Sequence, residues 1–210
     1  MKLLHIEGSP RGRESISTRL AEHFIAGLGT RRAVEVDRLA VWEEALPPFD
    51  GAALAAKYAR LGGRELTGEQ SAAWSVIAAL TERLARADAV LISTPMWNFG
   101  VPYRLKHWFD LVTQPGLTFT FQPDRGYAPI LPPRPATVIL ASSGDYSAGP
   151  SWGRPDLASG YLSAALTFIG VSPPRTVHAG PTAGPEGPKQ AAEAAARRRL
   201  DAIAADWGAA

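Results

Sequence analysis

Two apolar runs constrain this chain more than any other feature. DAVLIST (88–94), stopped by Pro95, and ATVILAS (136–142) are continuous rather than alternating. A short strand of that kind is buried on both faces, as in a parallel sheet with helices on either side. Weaker strand signals sit at Leu3, Leu4 and Ile6, at 33–39 and at 175–180. Helical spacing fills the intervals. Leu20, Phe24 and Leu28 recur at i, i+4 and i+8, and Trp74, Ile77, Thr81 and Leu84 share a face within 69–86. Leu105, Trp108, Phe109 and Val112 follow Pro102, and further helices are expected at 154–170 and 188–207. About five strands alternating with about five helices imply an α/β fold with a doubly wound parallel sheet, because crossovers are right-handed. No repeat or linker divides residues 1–210, so a single domain is expected. The stretch 114–135 reads as a hairpin or protruding loop, and the Ala-rich stretch 48–68, broken by Gly62-Gly63, as a surface excursion.

Composition removes several function classes. A net charge of +2 is too small to argue for nucleic acid. Zero cysteines leave no disulfide, thiolate ligand or cysteine nucleophile, and the four histidines have no metal-ligand spacing. No apolar run approaches the length of a membrane span. The N-terminus reads as a strand rather than a signal peptide, so the expected location is the cytoplasm.

Ligands of doubly wound sheets sit beyond the carboxyl ends of strands. Three loops therefore matter. GSPRGRESIST (8–18) offers the hydroxyls of Ser9, Ser15 and Ser17 where a helix begins. A helix N-terminus supplies free N–H groups and positive potential, so the loop suits a phosphate; the same serines also suit a simple N-cap. TPMWNFGVP (94–102) presents Met96, Trp97, Asn98 and Phe99, which suit a flat heteroaromatic ligand or, equally, a hydrophobic plug. SSGDYSAGP (142–150) is small and polar and can wrap the edge of that ligand or form an ordinary turn. A phosphate plus a planar ring describes flavin mononucleotide (FMN), which the flavodoxin-like strand order 2-1-3-4-5 binds at its switch point.

The segment PMWNFGVPYRLKHWFDLVTQPGLTF (95–119) carries a much longer match. With the two flanking loops, the chain resembles the FMN-dependent NADH azoreductase family of flavodoxin-like NAD(P)H:quinone reductases from about residue 2 to residue 205. The resemblance implies a five-stranded flavodoxin-like sheet in the order 2-1-3-4-5, with helices on both faces. It implies non-covalent FMN, NADH or NADPH as co-substrate, and two-electron transfer to quinones or azo compounds by a ping-pong mechanism. It further implies a homodimer with active sites at the subunit interface. Residue by residue, Ser9, Ser15, Ile16 and Ser17 correspond to the phosphate-binding loop. Met96, Trp97, Asn98 and Phe99 correspond to the ring-binding stretch, and Ser142, Ser143, Gly144 and Asp145 to the loop at the pyrimidine side. Phe121 and Phe168 correspond to aromatics near the nicotinamide or acceptor, and no residue is assigned a catalytic role. Two departures stand out. Gly144-Asp145 replaces a frequent Gly-Gly, and Trp97 replaces the tyrosine of some members.

The rival from another class is a flavodoxin-type electron carrier without its own NAD(P)H reductase activity. Such carriers are typically acidic, whereas this chain has a net charge of +2 and extra segments at 48–68 and 114–135. GPSWG (149–153) matches a nucleophile-elbow pattern but lies too far beyond its strand for that geometry.

Overall fold

A computed structural model describes residues 1–209. In chain order the elements are β1 (Lys2–Glu7), α1 (Ile16–Gly29), β2 (Glu35–Ala40), α2 (Gly51–Leu61), α3 (Gly68–Arg86), β3 (Ala89–Pro95) and α4 (Tyr103–Val112). They continue with β4 (Phe119–Gln122), β5 (Gly126–Pro129), β6 (Ala136–Ala141), α5 (Ala158–Phe168), β7 (Arg175–Ala179) and α6 (Glu186–Ala209). The main sheet has five parallel strands in the order β2-β1-β3-β6-β7. Strands β4 and β5 form a separate antiparallel hairpin within the stretch expected to protrude. With that hairpin set aside, the order is the expected 2-1-3-4-5.

The apolar runs are continuous because neighbouring strand residues enter different cores. Leu4, Ile6, Val90, Ile92, Val138 and Leu140 pack beneath α3, α4 and α5. Leu3, Leu91, Ile139 and Val177 meet α1 and α6 on the opposite face, against Leu20, Phe24, Leu200 and Ile203.

The expected surface excursion at 48–68 needs correction, since it contains α2. Asp50 caps this helix by accepting from the N–H groups of Ala52 and Ala53 at 3.1 and 3.4 Å. Its buried stripe is Ala53, Ala56 and Ala59, which lets α2 lie close to α3. Arg60 then reaches over the Trp74 ring at 5.1 Å. A stripe made only of alanine carries no large-residue periodicity, so the helix is hidden in a hydropathy pattern.

This topology brings the loops after β1, β3, β6 and β7 to one edge of the sheet. Among the described residues no helix is long and apolar enough to cross a membrane, and no group of three or more His, Asp or Glu is placed to hold a metal.

Candidate cofactor-binding site

A cavity of about 460 Å³ opens at the carboxyl edge. Its wall combines Ser9, Ser15 and Ile16 from the first loop with Met96 and Trp97 from the second and Ser142 and Ser143 from the third. Seven residues singled out from three separate sequence segments thus converge on one space.

The first loop meets the requirements for a phosphate. Ser15 occupies the N-cap position of α1 yet makes no capping hydrogen bond. Its hydroxyl instead lies 2.9 Å from that of Ser17, and both side chains are buried. The N–H groups of Ile16, Ser17 and Thr18 take part in no hydrogen bond among the described residues. The plain N-cap reading is therefore not realised. What remains is a turn of unpaired donors at the positive end of a 14-residue helix, with two hydroxyls beside them. Arg11 and Arg19 line the same space.

Beneath this turn sits Glu7, buried at the end of β1. Arg38 Nη2 approaches its carboxylate at 2.7 Å and the Thr18 hydroxyl donates to it at 3.2 Å. The pairing neutralises a buried charge that would otherwise oppose an anion. One residue pair further along the sheet, His5 bonds the Ser93 hydroxyl at 2.9 Å. Burial, and secondarily the charge of Arg38, lowers the His5 pKa to about 4, so its imidazole is neutral.

The second loop turns back on itself. Trp97 and Gly100 exchange N–H···O=C bonds of 3.0 Å each, with Asn98 and Phe99 at the tip. Both tip residues have positive φ, +47° and +71°. Such a turn favours Asn or Gly; a phenylalanine there is strained, and strain of this kind clusters at binding sites. Met96 and Trp97 line the cavity, whereas Asn98 and Phe99 are exposed and do not line it.

The third loop is sewn to β7. Ser142 donates from its hydroxyl to the Gly144 carbonyl at 2.8 Å, and its own carbonyl accepts from the N–H of Thr182 at 2.9 Å. A Cβ on Gly144 would collide with the Ser151 hydroxyl and the Arg154 guanidinium. Asp145 does not line the cavity. Its carboxylate is occupied by Ser147, whose N–H donates at 2.9 Å and whose side chain is the first cause holding the Asp145 pKa below the usual carboxylate range. Ser151 of the elbow-like motif lies well beyond β6, paired with Arg154 in a turn.

Phe121 and Phe168 are not brought to this cavity within one chain. They belong to a cluster with Phe119 and Tyr127, whose ring centroids are 4.9 to 5.8 Å apart. Phe121 and Phe168 are 53% and 37% exposed. Residues that sequence reasoning missed include Thr182, Arg19, Glu7 and Trp42, whose indole N–H donates to the Gly8 carbonyl at 3.0 Å. For Glu7 a signal was available, because a carboxylate directly before the Gly-Ser-Pro turn faces α1.

The chain matches the family model described as "Flavodoxin-like fold" over residues 1–203. It is 46% identical over 204 residues to FMN-dependent NADH:quinone oxidoreductase 1 of Bradyrhizobium diazoefficiens, covering 97% of this chain and 98% of that protein. It is 44% identical over 174 residues to FMN-dependent NADH:quinone oxidoreductase of Ruegeria pomeroyi, covering 81% and 84%. Among solved structures it is similar to an FMN-dependent NADH-azoreductase from Bacillus anthracis in complex with FMN, with a TM-score of 0.87, 22% identity, and 99% and 100% coverage. At that identity the structural likeness speaks to the fold.

Proposed function

The chain belongs to the flavodoxin-like fold family and, within it, to the FMN-dependent NADH:quinone oxidoreductases, and from that premise we propose that residues 1–210 act as one domain binding FMN non-covalently in the carboxyl-edge cavity. The protein is an FMN-dependent oxidoreductase that uses NADH to reduce quinones. The observation that carries the site assignment is the set of unpaired donors at the start of α1, beside a partly apolar cavity wall.

When bound, FMN supplies a ring that accepts hydride from the nicotinamide and delivers two electrons to the second substrate. The chain's own part is to bind, orient and polarise. The N–H groups of Ile16, Ser17 and Thr18, with the hydroxyls of Ser9, Ser15 and Ser17, hold the phosphate. Met96 and Trp97 supply flat contact for the ring, with Asn98 and Phe99 at its margin. Ser142, Ser143 and the Gly144 backbone border its other edge. Asp145 contributes by holding the turn at 145–147 rather than by touching the cofactor. No side chain needs to act as nucleophile, and protons come from water. NADH and acceptor use the same open face in turn, which gives ping-pong kinetics, with NADPH and azo compounds as further substrates.

The exposed aromatic cluster of Phe121, Tyr127 and Phe168 supports a homodimer in which this cluster of one chain faces the partner's cavity. That arrangement gives Phe121 and Phe168 access to substrate that they lack within one chain.

The test is reconstitution with FMN, followed by NADH oxidation with and without a quinone. Flavin uptake and quinone-dependent turnover with parallel double-reciprocal plots are expected. Colourless protein after reconstitution overturns the site assignment. A 22.4 kDa species at all concentrations in light scattering overturns the dimer.

A further inference from the structure

The rings of Trp42, Trp97 and Tyr103 continue the cavity wall outward. The centroids of Trp42 and Trp97 lie 5.7 Å apart, and Tyr103 meets Trp42 edge-on at 5.1 Å. Trp97 is shared, since it also lines the cavity.

This wall is firmly held. The Trp42 indole N–H is committed to the Gly8 carbonyl at 3.0 Å. The preceding residue, Val41, donates its N–H to the Glu7 carbonyl at 3.0 Å. Arg104 on α4 donates to the carbonyls of Val41 and Glu44, both at 2.9 Å. Arg83 on α3 reaches the Glu44 carboxylate at 2.9 Å. The short loop carrying Trp42 is therefore pinned from β1, α3 and α4 together. What it supports is nevertheless open. Trp97 is 38% and Tyr103 67% exposed, and the Tyr103 hydroxyl has no hydrogen bond among the described residues. Rings held in advance and left uncovered lose little freedom when another aromatic group packs on them. Because the wall is continuous with the cavity, its occupant must also reach the cavity.

We propose that Trp42, Trp97 and Tyr103 form an acceptor subsite that selects quinones with a second, fused aromatic ring over single-ring quinones. The proposal rests on the oxidoreductase reading above. Tyr103 is the residue to probe, because it is exposed and its loss leaves the buried core intact. Trp42 acts as a positioning residue.

The experiment uses the FMN-loaded full chain with NADH and two acceptors, benzoquinone and a naphthoquinone. Tyr103→Ala is expected to raise KM for the naphthoquinone about three- to tenfold with kcat retained, an effect of the size of one aromatic pair. The preference for naphthoquinone over benzoquinone should fall by the same factor, and Tyr103→Phe should restore it. Wild-type protein that reduces neither quinone overturns the oxidoreductase reading and the subsite with it. Wild-type protein that reduces benzoquinone as well as or better than the naphthoquinone overturns the subsite alone. So does a Tyr103→Ala variant whose two KM values stay the same or move together.

Discussion

Concavities open at both edges of the sheet, and they differ in how their polar groups are satisfied. By the amino ends of the strands lie two depressions of about 600 and 540 Å³, each larger than the 460 Å³ cavity at the carboxyl edge. In the larger ones most of the charged side chains already have partners. Arg83 meets Asp37 at 2.6 Å, the Lys2 backbone N–H donates to Asp88 at 2.7 Å, and Arg175 meets Asp206 at 2.6 Å. Arg134, a buried side chain in the wall of the second depression, caps the end of α3 through the carbonyls of Leu84, Ala85 and Ala87. At the carboxyl edge the N–H groups of Ile16, Ser17 and Thr18 stay free, and the hydroxyls of Ser15 and Ser17 bond only each other among the described residues. Buried polar groups are normally satisfied, so donors kept free beside a cavity point to a ligand more directly than volume does.

Removing the two serine hydroxyls beside the free N–H donors should have the largest effect. Hydrogen bonds to a charged group contribute roughly 1.5–3 kcal/mol each, so the double variant Ser15→Ala/Ser17→Ala should weaken FMN binding on the order of 10²-fold or more. Arg86→Ala, at an amino-edge depression, should leave it unchanged. Quenching of flavin fluorescence on titration measures both. Equal affinity for the double variant and the wild type would break the contrast between the two edges.

A second effect belongs to the polar row between the edges. The folded pKa of His5 is lowered from 6.5 to about 4, so the fold retains the neutral ring. As pH falls below 6.5, the unfolded chain takes up the proton first. The associated stability is complete above pH 6.5 and is lost progressively down to about pH 4. The loss across that window should be about 3 kcal/mol. His5→Asn should flatten this part of the profile. Urea unfolding at pH 7 and at pH 4.5, for both proteins, checks it, and parallel profiles would contradict the assignment.

Much of the carboxyl edge was legible because its features are local. A hydroxyl-rich turn after a strand, and Met96-Trp97 after the buried run at 88–94, are contiguous signals that need only the strand-end rule to be joined. The fold was legible for the same reason, as the two buried runs demand helices on both sides. What escaped depends on distant partners. Trp42 matters because its indole N–H finds Gly8, and Thr182 because its N–H finds the Ser142 carbonyl, pairings with no mark in the residues nearby. The helix α2 escaped because its buried face is alanine. The contacts of Asp145 were settled by Ser147, two residues away, through a turn that sequence alone allows without requiring.

The smallest effect separates backbone from side chain at the margin of the cavity. Asn98 has φ +47° in the two-residue turn that sets Trp97 beside the ring position. Asn98→Ala keeps a Cβ in the left-handed region without the amide, and the turn should be destabilised by about 1 kcal/mol. Asn98→Gly removes the amide but relieves the backbone. If the turn's geometry is what positions Trp97, Gly should preserve turnover and flavin potential while Ala lowers turnover by less than about tenfold. If the amide itself contacts the ring, both variants should shift the flavin potential alike. The amino-edge depressions contain no residue of positive φ, so a matched change there, Ala79→Gly, should move neither quantity. Potentiometric titration of the two Asn98 variants therefore tells whether the carboxyl edge differs from the amino edge in its donors alone, or also in the backbone geometry that presents its rings.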